Sequence, residues 1–169
     1  ATAFVEEGRI EPGKVINPDA KVAFLVRWGD MNAGRFLTAA LREGLEVRQS
    51  ELAFTHESAG EFPSGSLILT RADNSDDLQT KLQKLAEASG ATVEGVDTSW
   101  MTEGPNFGSH NVSKLEAPNI AIAWDEPVSP YSAGHTRFVI ERQMGYPVTA
   151  IRTMQLLQND LDGLDVLIL

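Results

Sequence analysis

The sequence predicts an α/β domain: a mostly parallel sheet flanked by helices and built from two similar half-units. Three observations predict it. Short apolar runs of strand length alternate with segments of helical period, the arrangement that βαβ crossovers require. Two short matches recur at one offset, Ala33-Gly34 with Ala133-Gly134 and Leu67-Ile68-Leu69 with Leu167-Ile168-Leu169, both 100 residues apart (133 − 33 and 167 − 67). The order of elements around these matches is the same in both halves, which reads as structural repetition.

Residues 1–19 carry Gly8, Pro12, Gly13 and Pro18 among few apolar positions and read as a linker or surface arm. Lys21-Val22-Ala23-Phe24-Leu25-Val26 is apolar enough for a strand buried on both faces. Asp30 or Asn32 can cap the helix that follows, in which Phe36, Leu37, Ala40 and Leu41 keep helical spacing and Gly44 supplies the stop. Leu45-Glu46-Val47-Arg48 reads as a short second strand, 49–64 as a loop, and Ser66-Leu67-Ile68-Leu69 as a third strand. A second helix places Leu78, Leu82, Leu85 and Ala86 at i, i+4, i+7 and i+8, with Asp76 and Asp77 in its first turn and Ser89-Gly90 at its end.

Residues 91–94 can be a strand, and the polar stretch 97–111 is long enough to be a functional loop or a crossover. Residues 20–118 thus form the first half-unit with its crossover loop, and residues 119–169 the second. The second half-unit runs from the strand Asn119-Ile120-Ala121-Ile122-Ala123 through a loop with Pro127 and Pro130 to a helix opening at Ser132. The strands Val148-Thr149-Ala150-Ile151 and Val166-Leu167-Ile168-Leu169 follow. A chain that opens on Ala1 and stops on a strand residue reads as an excised piece. The loop expected after Leu169 would then form one wall of any pocket at the carboxyl edge of the sheet.

The chain has 169 residues, enough for one compact unit with a full core. With 14 basic against 24 acidic side chains its net charge is -10, which repels nucleic acid and anionic lipid and serves solubility. No apolar run approaches the ~20 residues that cross a bilayer, so no membrane span is expected. Cysteine is absent, which removes disulfides, thiolate zinc sites and a cysteine nucleophile together.

No motif in the chain specifies a reaction. His56, His110 and His135 fall in no H-x-x-E or H-E-x-x-H pattern, so no metal ligands are assigned. His110 beside Ser109, and His135 near Tyr131 and Ser132, read as solvent-facing polar residues at loop and helix ends, with ligand contact as the alternative. Pro130-Tyr131-Ser132-Ala133-Gly134 lacks the first glycine of a nucleophile elbow, so Ser132 reads as a helix N-cap. Neither of the glycine-rich phosphate-loop patterns occurs. Asp30, Asp73 and Asp125 each follow a strand; they would converge as a shared acidic site on a parallel sheet, or act singly as caps and turn formers. Asp125, Tyr131, Ser132, His135, Ser109 and His110 are the candidate ligand contacts, and no catalytic residue is assigned.

The order of segments carries a resemblance. Asn119-Ile120-Ala121-Ile122-Ala123-Trp124, Val128-Ser129-Pro130-Tyr131-Ser132-Ala133-Gly134, Tyr146-Pro147-Val148-Thr149 and Leu164-Asp165-Val166-Leu167-Ile168-Leu169 resemble the class I glutamine amidotransferase-like region that follows the catalytic domain in large bacterial carboxypeptidase A-like zinc peptidases. Residues 22–28, Phe62-Pro63-Ser64-Gly65-Ser66-Leu67-Ile68 and Phe107-Gly108-Ser109-His110-Asn111-Val112 are similar to the segment preceding it. The resemblance implies a flavodoxin-like or amidotransferase-like fold and a periplasmic or secreted parent that hydrolyses C-terminal peptide bonds with zinc and a Glu base. It implies an upstream peptidase domain of the same chain as partner, with the zinc ligands there and no cofactor here. Glutamine hydrolysis by the amidotransferase route needs a cysteine this chain does not have. The expected function is that of a non-catalytic accessory domain. A freestanding small-molecule-binding or hydrolase domain using the strand-end loops is the alternative.

Overall fold

A computed structural model describes residues 11–156 and 161–169 of the chain. Its centre is β2 (Ala23–Val26), whose four residues are all buried. Around it lies a six-stranded sheet in the order β1-β7-β2-β6-β3-β9, with β1 at Lys14–Ile16, β3 at Val47–Ser50, β6 at Leu67–Thr70, β7 at Thr92–Val96 and β9 at Val112–Leu115. Only β1 and β7 pair parallel; β2 runs antiparallel to both neighbours, and β3 is antiparallel to β6 and β9.

Alternation along these strands builds two cores. Phe24 and Val26, with Leu67 and Leu69, face α1 (Met31–Arg42) and α2 (Leu78–Ser89), where they meet Phe36, Leu78 and Leu82. Ala23, Leu25 and Ile68 face the other way, onto Phe54, Phe62 and Phe107. Phe54 and Phe62 belong to a small antiparallel sheet, β5-β4-β8, made of β4 (Phe54–His56), β5 (Gly60–Phe62) and β8 (Met101–Glu103). The two rings stack with centroids 4.9 Å apart, and the Arg27 guanidinium sits over Phe62 while pairing with Glu94. The layers are therefore helices, large sheet and small sheet. Gly95 in β7 permits a close approach: a Cβ there would lie 2.1 Å from the Asn17 carbonyl oxygen and 2.6 Å from Ala20 Cβ.

Residues beyond 118 form a separate sheet, ordered β11-β10-β12 and wholly parallel, from β10 (Ile120–Trp124), β11 (Thr149–Arg152) and β12 (Val166–Ile168). The helix α3 (Pro130–Phe138) runs on into a π-helical turn, Val139–Gln143, and a short α4 (Thr153–Leu156) follows β11. Ile122, Ala133 and Val148 are the buried centre of this smaller core. No helix of the described residues is long and apolar enough to cross a membrane.

The two parts are joined through α1. Arg35 Nε donates to the Gln143 carbonyl at 3.0 Å, the Thr38 hydroxyl lies 2.6 Å from the Met144 carbonyl, and Arg42 donates to the Gly145 carbonyl at 2.6 Å. These three carbonyls end the α3 segment, where a helix leaves acceptors unpaired and favours positive charge. Met144 packs where Gly34 leaves room. Tyr146, its hydroxyl pKa raised chiefly by burial, donates to the Pro118 carbonyl at 2.8 Å and ties down the connection.

The expected mostly parallel, flavodoxin-like or amidotransferase-like arrangement of two similar half-units is therefore not the architecture. The error has a physical source: the run ending in Val26 is buried on both faces as expected, but such a run reports double-sided burial and not strand direction. The repeated Ala-Gly pairs do lie on helices, and the repeated Leu-Ile-Leu falls in strands except for Leu169, which follows β12. Yet β2 and β6 pair antiparallel, whereas β10 and β12 pair parallel, so the halves share element order without topology. The expected loop 49–64 holds β4 and β5, and the stretch 97–111 holds β8, strands of three residues that are too short to show a period. Of the expected arm 1–19, residues 1–10 lie outside the described residues and Lys14–Ile16 is an edge strand.

Candidate functional site

The carboxyl ends of β10 and β11 and the start of α3 enclose an open groove of about 530 Å³. Parallel strands side by side place a crevice at this edge, with the amides of the following helix turned toward it. Asp125 follows β10 with φ 85°, a left-handed conformation that turns the chain sharply, and Val128 N–H closes the turn on the Asp125 carbonyl at 3.0 Å. The Thr153 hydroxyl donates to the Glu126 carbonyl at 2.6 Å, binding the loop to the end of β11. Ala123, Val128, Leu156 and Leu169 supply apolar wall, and Ser129, Ser132 and Thr153 bring hydroxyls to it.

Ser129, not Ser132, caps α3. Its hydroxyl accepts from Ser132 N–H at 3.4 Å and its carbonyl from Ala133 N–H at 3.0 Å, with Pro130 opening the first turn. Ser132 is left with its side chain on the groove wall. Asp125 stands at the rim, 3.6 Å from Arg152 Nε, an ion pair between the ends of adjacent parallel strands. Tyr131 is 79% exposed and His135 is exposed one turn later, and neither lines the groove. Four of the six candidates thus gather near one helix start, and one of them touches the groove.

Ser109 and His110 lie elsewhere, in the turn before β9. Ser109 N–H bonds the Asn106 carbonyl at 3.0 Å, its hydroxyl accepts from Asn111 N–H at 3.2 Å, and His110 is exposed. The neighbouring cavity of about 430 Å³ is lined by Trp100, Asn106 and Phe107 among others, and by neither candidate. The acidic residues do not converge. Asp30 caps α1 by accepting from Ala33 N–H at 2.8 Å; Asp73 binds the Thr70 hydroxyl at 2.8 Å and Arg48 at 2.9 Å. Because β2 and β6 are antiparallel, the residues following them emerge at opposite edges of the sheet.

The burial of His56 was not legible in the sequence. His56 is 1% exposed, stacked at 6.5 Å on Phe107, with Nε2–H donating to the Thr98 carbonyl at 3.1 Å and Nδ1 accepting from Ser58 N–H at 3.2 Å. The Ser58 hydroxyl is 3.2 Å from the same nitrogen, the spacing of a nucleophile and its base. The backbone N–H already occupies that nitrogen, so the contact closes the β4–β5 turn. Its only sequence signal is alternation with Phe54 in a strand of three residues.

No protein-family model matches the chain, and neither do curated proteins or solved structures. Among the described residues, no three or more His, Cys, Asp or Glu side chains are grouped to hold a metal ion.

Proposed function

We propose that this chain is a non-catalytic accessory domain of a zinc metallocarboxypeptidase-like protein, and that the groove at the start of α3 holds part of the polypeptide substrate or of the neighbouring peptidase domain. The segment resemblance supports the parent's class. The groove carries the reading of this chain: its apolar walls and hydroxyl groups suit an uncharged stretch of polypeptide, whose side chains need burial and whose amides need partners. In this reading the zinc and its water-activating chemistry belong to the upstream domain, in a periplasmic or secreted parent.

The parent gene supplies the first test, since an upstream region without an H-x-x-E motif sinks the proposal. In the parent protein, Val128→Trp fills the groove and is expected to lower kcat/KM on long peptides several-fold while leaving the bound zinc and the turnover of a blocked dipeptide unchanged. Equal activity on both substrates contradicts it. A freestanding small-molecule-binding or hydrolase domain is the second reading, favoured by the groove's place beyond parallel strand ends. It predicts ligand binding or ester turnover by the isolated chain that Ser132→Ala abolishes.

A further inference from the structure

The polar stretch 97–111 takes no part in the groove at α3, yet it walls a cavity of its own. The space is about 430 Å³, within the ~300–1,000 Å³ of small-molecule sites, and is lined by Ser99, Trp100, Asn106, Phe107 and Gly108 among others. Trp100 is 67% exposed, yet its backbone is fixed: its N–H donates to the Thr98 hydroxyl at 3.4 Å, and its carbonyl accepts from Glu57 N–H at 3.3 Å. The Thr98 hydroxyl in turn donates to the Glu57 carboxylate at 2.6 Å. Buried His56 braces both walls, holding the Thr98 carbonyl through Nε2–H at 3.1 Å and stacking its ring on Phe107. An indole is thus presented on a rigid support with its ring largely open.

We propose that this cavity binds a neutral carbohydrate, stacked on Trp100. The chemistry of the lining selects the class. Residues 97–113 contain no Lys or Arg, so nothing in that stretch pairs with a phosphate or a carboxylate. The carboxylates of this layer stay off the cavity wall: Glu57 accepts from Thr98, Asp97 accepts from Asn17 and from Lys21 N–H, and Glu103 lines a different cavity. A cation would therefore meet the ring without a counter-charge. A wholly apolar ligand would leave polar groups unpaired, because Ser99 brings a hydroxyl to the wall. Asn106 adds to these: its side-chain oxygen accepts from Gly108 N–H at 3.1 Å, and its amide N–H groups are left to give. A pyranose ring meets every condition, being uncharged, with a C–H face that suits an indole and hydroxyls around its edge that donate and accept. This site is independent of the groove at α3.

Two-dimensional NMR of the 169-residue chain reads the site directly, since its three tryptophans give three indole N–H signals. Cellotetraose, chitotetraose and maltotetraose, each titrated to ~10 mM, are the probes. At least one is expected to shift the Trp100 indole signal saturably and to leave those of Trp28 and Trp124 in place. Trp100→Ala, at an exposed position that leaves the fold intact, then weakens binding about tenfold or more, as followed on the Asn106 amide. Gly108→Leu does the same by filling the cavity, because a Cβ there meets only the Asn106 side-chain oxygen, at 3.8 Å. Tyr131→Ala, which removes a still more exposed ring from α3, leaves the affinity unchanged. No saturable shift with any of the three sugars overturns the proposal, as does sugar binding that survives Trp100→Ala, or a tighter response to tetramethylammonium or to inorganic phosphate.

Discussion

Leu67-Ile68-Leu69 and Leu167-Ile168-Leu169 are one tripeptide in two settings. The first lies in a strand paired on both sides, with helices over one face and a small sheet over the other. In the second, Leu167 and Ile168 lie in a strand paired on one side and Leu169 follows it, in a sheet whose core centres on three buried residues. What separates them is the number of neighbours the fold provides. The large sheet is covered on both faces, whereas the small parallel sheet has a groove at its carboxyl edge, and the proposed function falls there.

The sharpest way to break this comparison is to truncate both leucines. Leu67→Ala removes a side chain with no exposed surface and is expected to cost about 3 kcal/mol, within the ~2–5 kcal/mol found for buried leucines. Leu167→Ala, at a half-buried position, should cost less than about 1 kcal/mol. Equal shifts in urea midpoint would erase the distinction.

The link between the two parts comes next in size. Thr38→Val keeps shape but deprives the Met144 carbonyl of its donor, and should cost about 1 kcal/mol. The loss should appear mainly as faster exchange of the amides in α3, with little effect on α2.

The smallest effect is a pH dependence confined to the large sheet. The Thr70 hydroxyl first, and then Arg48, hold the Asp73 carboxyl below its ordinary pKa against the opposing influence of burial. The stabilisation is therefore present above the unfolded value of ~3.9 and is lost as pH falls through the lower folded value. Asp73→Asn should therefore lower stability slightly at neutral pH and flatten the acid limb, so that variant and unaltered chain converge below the folded value.

What could be read from the residues followed the strength of local signals. The helices announced themselves through Leu78, Leu82 and Leu85, and through Asp30 as a cap. The strand at Ala23–Val26 announced its burial. Strand direction did not, because the same apolar run serves a parallel or an antiparallel neighbour, and the expected convergence of Asp30, Asp73 and Asp125 fell with it. At the groove, Asp125 was legible as a strand-end turn former and Ser132 as a candidate contact, but the cap expected of Ser132 belongs to Ser129. The roles of Ser129 and Thr153 were not, because they depend on where the loop folds back onto the end of β11.

Native-state hydrogen exchange of the isolated chain tests the central claim most directly, because it measures each sheet's opening free energy separately. The amides of β2, β6 and β7 should exchange only with global unfolding, and those of β10, β11 and β12 through a separate opening of lower free energy. Exchange of all six strands at one common free energy would contradict the account, showing that the parallel sheet is as complete as the one beside it.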